Sequence, residues 1–397
     1  MKTRKVLALV GSALFAASAC TGAASPSPSV AAPTGAATQP GTSPDDGSSP
    51  TASAPGTGGG EAASVRLQLQ WTPQAQFAGY FAAEEQGYFA EENLTVDILD
   101  GGPTIVPQQV GSAPDGPEFT ISWVPKVLEA REAGSDLVNI AQIFQRSGTL
   151  SVVWADSGIT DPCGVEGKNV GAWGFGNEFE VTAGLLNNCG FVSGEDYTQV
   201  TQNFDMVAFL NREIDMAEAM IYNEYAQVLE TVNPETGELY KPEDMVVFDW
   251  NDFRSAMLQD AIFARKAWLD DANNRDIAVR FVRASLKGWI YCRDNPDDCV
   301  QYTTDAGSQL GQGHQRWMMN EVNPLIWPSP LAIGVVDPVF WTQTVNIAKQ
   351  AGIIKNDPTF DAYDPTIVAE ALLTMTDMDL MGADFEKGTV EVTPGGN

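Results

Sequence analysis

The sequence predicts an α/β protein of two lobes, each a mostly parallel sheet flanked by helices. Three observations carry this expectation. Short apolar segments alternate with helix-length segments from Val65 to Trp154, the pattern of layered α/β units. The alternation starts again near Gly167, and beyond Ala261-Ile262-Phe263 the chain turns mostly helical. The body of roughly 330 residues is long for one core and suits two.

Taken in order, Val65 to Gln70 alternates apolar and polar residues and reads as a strand. Gln74 to Gln86 reads as a helix that Gly87 ends. Leu94 to Leu99 is a second strand, broken by Gly101-Gly102-Pro103. Phe119 to Ser122 is a third, followed by a helix ending near Gly134; Leu137–Phe144 and Leu150–Trp154 are strands again. In the second unit, Asn169 to Trp173 is a strand, Gly174 to Asn177 a glycine-rich turn and Glu178 to Asn188 a helix. Met245 to Trp250 is a later strand. Ile277 to Arg293 is a long amphipathic helix stopped at Asn295-Pro296. Asp337-Pro338 and Asp364-Pro365 each pair a capping residue with Pro at the first helical position. The expected segments are a leader over 1–20, a tether over 21–64, the first part of lobe 1 over 65–155, lobe 2 over 156–260 and a return to lobe 1 over 261–397.

Lys2, Arg4 and Lys5 precede an apolar run that ends Ala17-Ser18-Ala19-Cys20. This is the layout of a secretory signal peptide, and its tail resembles the bacterial lipobox, whose Cys is lipidated. The run is too short for a spanning helix, which needs about 20 residues. Thr21 to Ser64 is almost entirely Ala, Ser, Thr, Pro and Gly, a composition that buries little and stays extended. The expected product is a globular body anchored at Cys20 on the extracytoplasmic face of the cell membrane. Removing Lys2, Arg4 and Lys5 leaves 19 Lys+Arg against 52 Asp+Glu, a net charge of −33. Such acidity argues against nucleic acid as a partner, which needs a basic footprint.

Cys163, Cys189, Cys292 and Cys299 remain in the body. An even number in an exported chain suggests disulfides, with three possible pairings. The two local ones, Cys163–Cys189 and Cys292–Cys299, are expected. No C-x-x-C occurs and His314 is the only histidine, so no metal site is expected. His314 reads as a surface or loop residue. No nucleophile elbow, P-loop or metal-binding histidine pair is present, and neither catalysis nor a cofactor is expected.

Aromatic and amide groups cluster just after strands, where a doubly wound fold builds its cleft. They are Trp71, Gln76 and Tyr80 after the first strand, Ser122 and Trp123 at the third, Trp173, Gly174, Asn177 and Glu178 in the second unit, and Tyr222, Asn223 and Glu224 further on. Ring faces to stack on, with amides and a carboxylate for ring nitrogens, suit a flat heteroaromatic ligand. Each also has a structural reading. Tyr80 shares helical spacing with the core candidates Phe77 and Phe81, Trp173 could plug lobe 2, and Gly174 to Asn177 could be only a tight turn.

Leu69-Gln70-Trp71-Thr72-Pro73-Gln74, Gly79-Tyr80, Gly87-Tyr88-Phe89 and Leu94-Thr95-Val96 resemble the opening of the thiamine-pyrimidine-synthase-like (SsuA-like) family of substrate-binding proteins. Gly167 to Trp173 and Phe209 to Asp215 are similar to its second-lobe motifs. The resemblance covers roughly Val65 to Val300 and implies a type II periplasmic-binding-protein fold. It implies a lipoprotein of an ABC importer, a monomer with permease and ATPase subunits as partners. The implied ligand is a thiamine pyrimidine precursor, with riboflavin or an alkanesulfonate as alternatives, and Trp71, Trp173, Tyr222 and Glu224 would fall at the pocket. Fungal relatives make the thiamine pyrimidine from pyridoxal phosphate and a histidine; their cysteine-rich motif is absent here.

Overall fold

The computed structural model describes residues 59–397. The leader, Cys20 and most of the tether lie outside those residues. Ten strands form two five-stranded sheets. They are β1 (Ala63–Gln68), β2 (Leu94–Leu99), β3 (Phe119–Ser122), β4 (Leu137–Gln142), β5 (Thr149–Trp154), β6 (Asn169–Ala172), β7 (Thr198–Thr201), β8 (Met216–Met220), β9 (Met245–Asp249) and β10 (Ala261–Arg265).

The lobe 1 sheet has the order β2-β1-β3-β10-β4 and the lobe 2 sheet β7-β6-β8-β5-β9. β1 pairs in parallel with β2 and β3, whereas β10 runs antiparallel to β3 and β4. In lobe 2, β6 is parallel to β7 and β8, and β5 is antiparallel to β8 and β9. Each sheet thus has four strands running together and one against them. The opposed strand is the one formed just after the chain changes lobe: β5 on the way out, β10 on the way back.

Two expected boundaries move. β5 belongs to the lobe 2 sheet, so lobe 2 starts before residue 156. Every residue of β4 and β5 is buried, and two strands covered on both faces carry no periodic signal of a change of sheet. Ala63 and Ser64, assigned to the tether, pair with Leu94 and Thr95 in β1. Here tertiary pairing overrides a tether-like composition.

Asp271 caps the long helix Ala272–Asp294 by accepting from the backbone N–H groups of Asn273 and Asn274. Asp337 and Asp364 cap the helices Pro338–Gln350 and Pro365–Leu372 in the same way. Helix Ala78–Glu85 crosses the long helix through glycines. A Cβ on Gly79 would lie 2.2 Å from the Trp289 ring, and one on Gly288 would lie 1.9 Å from the Gly79 carbonyl oxygen. Neither position tolerates alanine at this separation. The lobe 1 core continues through Phe119, which stacks on Phe281 at 3.8 Å between ring centroids.

Both expected disulfides are present. Cys163–Cys189 ties the turn Pro162–Val165 to the end of helix Phe179–Cys189, and Cys292–Cys299 spans the break at Asn295-Pro296.

The two crossing segments are bonded to each other. Ser147 and Asn251 exchange hydrogen bonds, and Gly148 N–H donates to Gln259 Oε1. Glu180 of lobe 2 accepts from Ser147 Oγ and from Met257 N–H. Burial pushes the Glu180 carboxyl up to about 8. Helix Gln312–Ile326 also bridges the lobes, with Trp317 Nε1 donating to the Ile221 carbonyl.

Candidate functional site

A cleft lies between the sheets. Its walls come from segments just past the carboxyl ends of parallel strands: Gln70 and Trp71 after β1, Trp123 after β3, Trp173 after β6, Phe204 after β7, and Tyr222, Asn223 and Glu224 after β8. Loops converge at these ends in open α/β sheets.

On the lobe 1 side an ordered set of amides surrounds one buried acid. Asp260 accepts from Trp123 Nε1 at 2.8 Å, from Gln76 Nε2 at 2.9 Å and from Gln70 Nε2 at 3.4 Å. Because a carboxylate accepts only, it fixes how each amide points. Gln76 Oε1 therefore faces outward and receives Gln74 Nε2 at 2.6 Å. Gln74 Oε1 is buried and has no hydrogen-bond partner among the described residues. Burial raises the Asp260 carboxyl to about 6, against the opposing pull of the Gln76 and Trp123 bonds.

Lys126 lies beside this set. Its Nζ sits 5.1 Å above the Trp123 ring and donates across the cleft to Asn177 Oδ1 at 3.0 Å. Burial lowers the ammonium to about 8, while Asp260, Glu178 and Glu218 hold it up. Asn177 is oriented by its own Nδ2, which donates to the Gly174 carbonyl.

The lobe 2 side carries the aromatic floor and a second acid. Trp173 N–H donates to Glu218 Oε2 at 2.7 Å, and its Nε1 to the Asn203 carbonyl. Glu218 is fully buried and its carboxyl stands well above the usual range, chiefly from that burial. Glu224 accepts from Met220 N–H and from Asn223 Nδ2; burial pushes it up to about 7. Tyr222 is likewise raised well above its ordinary value by burial, with Asp260 and Glu224 adding to the effect. Perturbed groups gathered in one cleft mark a functional site.

Phe204 joins the lobes. Its ring lies 4.5 Å from that of Trp71 and 5.7 Å from that of Trp173, nearly parallel to the latter. Phe175 stands at the lip, 68% exposed, with φ of 62°. A bulky residue in that left-handed region stores strain, which is often found at ligand clamps.

The cleft brings together Trp71, Gln76, Trp123, Trp173, Asn177, Tyr222, Asn223 and Glu224. Four expected residues lie elsewhere. Tyr80 is core, edge-on to Trp289 at 5.7 Å, because its helical spacing turns it inward with Phe77 and Phe81. Ser122 is fully buried within β3, paired with Ala261. Gly174 and Glu178 build the turn rather than line the cleft: Glu178 accepts from Gly176 N–H at 3.0 Å and so occupies the donor that an anion would have used. His314, expected at the surface, is 1% exposed on helix Gln312–Ile326. Gln70, Gln74, Lys126 and Phe204 were not expected. Phe204 follows β7, a short, partly exposed strand without clear alternation, and so escapes a search for aromatics after strands. Lys126 sits on helix Val124–Glu132, where a lysine reads as solvated.

Among curated proteins, the riboflavin-binding protein RibY of Chloroflexus aurantiacus is 25% identical over 301 residues, covering 73% of this chain and 81% of that protein. The formylaminopyrimidine-binding protein of Halalkalibacterium halodurans is 25% identical over 240 residues, 59% of this chain and 68% of that protein. Among solved structures, the periplasmic aliphatic sulphonate binding protein SsuA of Escherichia coli superposes with a TM-score of 0.54 at 12% identity, covering 83% of this chain and 92% of that one. That likeness establishes the shared two-lobed fold. Residues 74–299 match the NMT1/THI5-like family, and the chain belongs to it.

Proposed function

We propose that this chain is the extracytoplasmic solute-binding component of an ABC importer and takes a flat nitrogen heteroaromatic between its lobes. The observation that carries the reading is the cleft: Trp71, Phe204 and Trp173 supply ring faces, while Asn223 and Glu224 stand at one edge with hydrogen-bonding groups. Relatives named for riboflavin and for formylaminopyrimidine support this chemical class. Lys126 gives a sulfonate its one specific argument, a cation in the cleft. Asp260, Glu178 and Glu218 act on that ammonium and Glu224 lines the same space, so a full anion would meet several carboxyl groups. A ring with donors and acceptors fits better.

Binding rather than synthesis is also part of the reading. The only histidine is buried, with both ring nitrogens engaged by Glu230 and Asn223, which disfavours its use as a reactant. The anchor at Cys20, a monomeric state and partnership with permease and ATPase subunits complete the proposal. No helix among the described residues is long and apolar enough to cross a membrane.

Native mass spectrometry of residues 59–397 with riboflavin, aminopyrimidines and MOPS tests the ligand class. A mass increment from a ring compound is expected. An increment from MOPS alone would reassign the cargo to sulfonates. Cys20→Ser is expected to abolish acyl attachment; lipid retained on that variant places the anchor elsewhere.

A further inference from the structure

Behind Glu224 runs a chain of buried hydrogen bonds that reaches into the other lobe. Both Glu230 carboxylate oxygens lie 2.9 Å from His314 Nδ1. His314 Nε2 lies 3.0 Å from Asn223 Oδ1, and Asn223 Nδ2 donates to Glu224 Oε1 at 2.8 Å. Glu224 Oε2 accepts from Met220 N–H at 2.9 Å. Gln227 Nε2 also approaches Asn223 Oδ1, at 3.4 Å. His314 belongs to lobe 1 and the others to lobe 2.

Donor and acceptor rules fix the protons along this chain. Nδ1 faces an ionised carboxylate and carries a proton. Asn223 turns its NH₂ toward ionised Glu224, so its oxygen faces Nε2, and Nε2 carries a proton as well. This arrangement pairs a His314 imidazolium with a Glu224 carboxylate. A second arrangement satisfies the same atoms apart from Gln227 Nε2, whose 3.4 Å approach to Asn223 Oδ1 is given up. Moving the Nε2 proton to Glu224 Oε1 makes that oxygen a donor, and the Asn223 amide turns over to accept from it. Its NH₂ then donates to the Nε2 lone pair of a neutral His314. The bond broken is Nε2–H and the bond formed is Oε1–H, so the total charge is unchanged.

We propose that His314 is a positioning residue of the cleft, coupled through Asn223 to Glu224 so that the two carboxyl states of Glu224 come with opposite orientations of the Asn223 amide. This rests on the proposed ring-binding site and refines it. The wall presents a charged carboxylate to a ring N–H in one arrangement and a neutral carboxyl in the other. Glu230 faces His314, while His314 and Asp205 act on Glu224, and Glu224 in turn acts on Glu218 and Tyr222. On the same helix, Arg316 pairs with Asp297 of the neighbouring helix. The turn Pro394–Gly396 brings no ionisable side chain, and a Cβ on Gly396 would lie 2.7 Å from His314 Cβ.

Because His314 is the chain's only histidine, ¹⁵N-histidine labelling isolates one ring in NMR spectra of the ligand-free protein. With Asn223 oriented as its bond to Glu224 requires, protons on both ring nitrogens are expected in the wild-type chain. Glu224→Gln provides the decisive comparison. Met220 N–H requires the amide oxygen of the new side chain, which leaves its NH₂ facing Asn223; the Asn223 amide must turn over, and His314 must lose its Nε2 proton. A ring that keeps both protons in that variant overturns the coupling. Should the variant not fold, titration of the wild-type chain from about pH 5 to 9 decides instead. Loss of the Nε2 proton first is expected, and loss of the Nδ1 proton first overturns the proposal. Neither measurement uses a ligand, so failure here leaves the ring-binding reading to its own test.

Discussion

The two walls of the cleft use acid in opposite ways. In lobe 1, Asp260 sits beneath the surface and reaches the cleft by hydrogen bonds through Gln70, Gln76 and Trp123. In lobe 2, Glu224 lines the cleft itself, steadied by Met220 and Asn223. A buried carboxylate with three donors is largely committed and acts as an orienting post. One with two donors retains lone pairs for a ligand. The difference separates residues that shape the site from residues that would recognise its occupant.

That contrast can be broken from either side. The largest effect is expected from Asp260→Ala, which orphans several buried donors and removes a nearby countercharge from Lys126. A loss of about 3–5 kcal/mol in urea unfolding is expected. A change under about 1 kcal/mol would mean that the amides are held by something else.

Glu180 tests how lobe 2 holds the crossing segments. Its folded carboxyl is raised to about 8 from an ordinary 4.5, so the folded state binds the extra proton between those values. Its contribution is fully present below about pH 4.5 and is lost as pH rises toward 8. Glu180→Gln should therefore remove a decline on the order of 2–4 kcal/mol over that window. Parallel stability–pH curves for variant and wild type would show that Glu180 does not titrate there.

Glu224→Gln is expected to weaken ring binding roughly 10- to 100-fold, the cost of about 1.5–3 kcal/mol for a hydrogen bond to a charged group. Isothermal titration with the ring identified by mass spectrometry reads this directly. Equal affinity would move recognition to the lobe 1 wall. Phe204→Ala is the mildest. Losing an aromatic pair of about 0.5–1.5 kcal/mol should lower affinity several-fold with little change in melting temperature. A large drop in melting temperature with intact affinity would make Phe204 a structural plug.

Periodicity and punctuation made much of the fold legible. Val65 to Gln70 alternates, Gly87 marks a helix end, and Asp337-Pro338 and Asp364-Pro365 announce their helices. The point where the chain changes sheet was not legible, because β4 and β5 are both buried throughout and strand pairing is a long-range property. In the site, large groups after strands stood out, as at Trp71, Trp173 and Glu224. What escaped were residues whose importance comes from a partner far away in sequence. Lys126 gains its meaning from Asn177, and His314 from Glu230, 84 positions apart. Ser122 and Tyr80 show the converse, since adjacency to a site in sequence left them facing the core.

The lysine that bridges the cleft has a consequence for chemical labelling. With its ammonium lowered to about 8, Lys126 is substantially the free amine in mildly alkaline solution, and a free amine is the nucleophile toward acylating reagents and aldehydes. Its burial shields it while the lobes are together. Labelling would require the lobes to part, and parting also lifts the burial that lowers the ammonium, so the amine is freest where reagents reach it least.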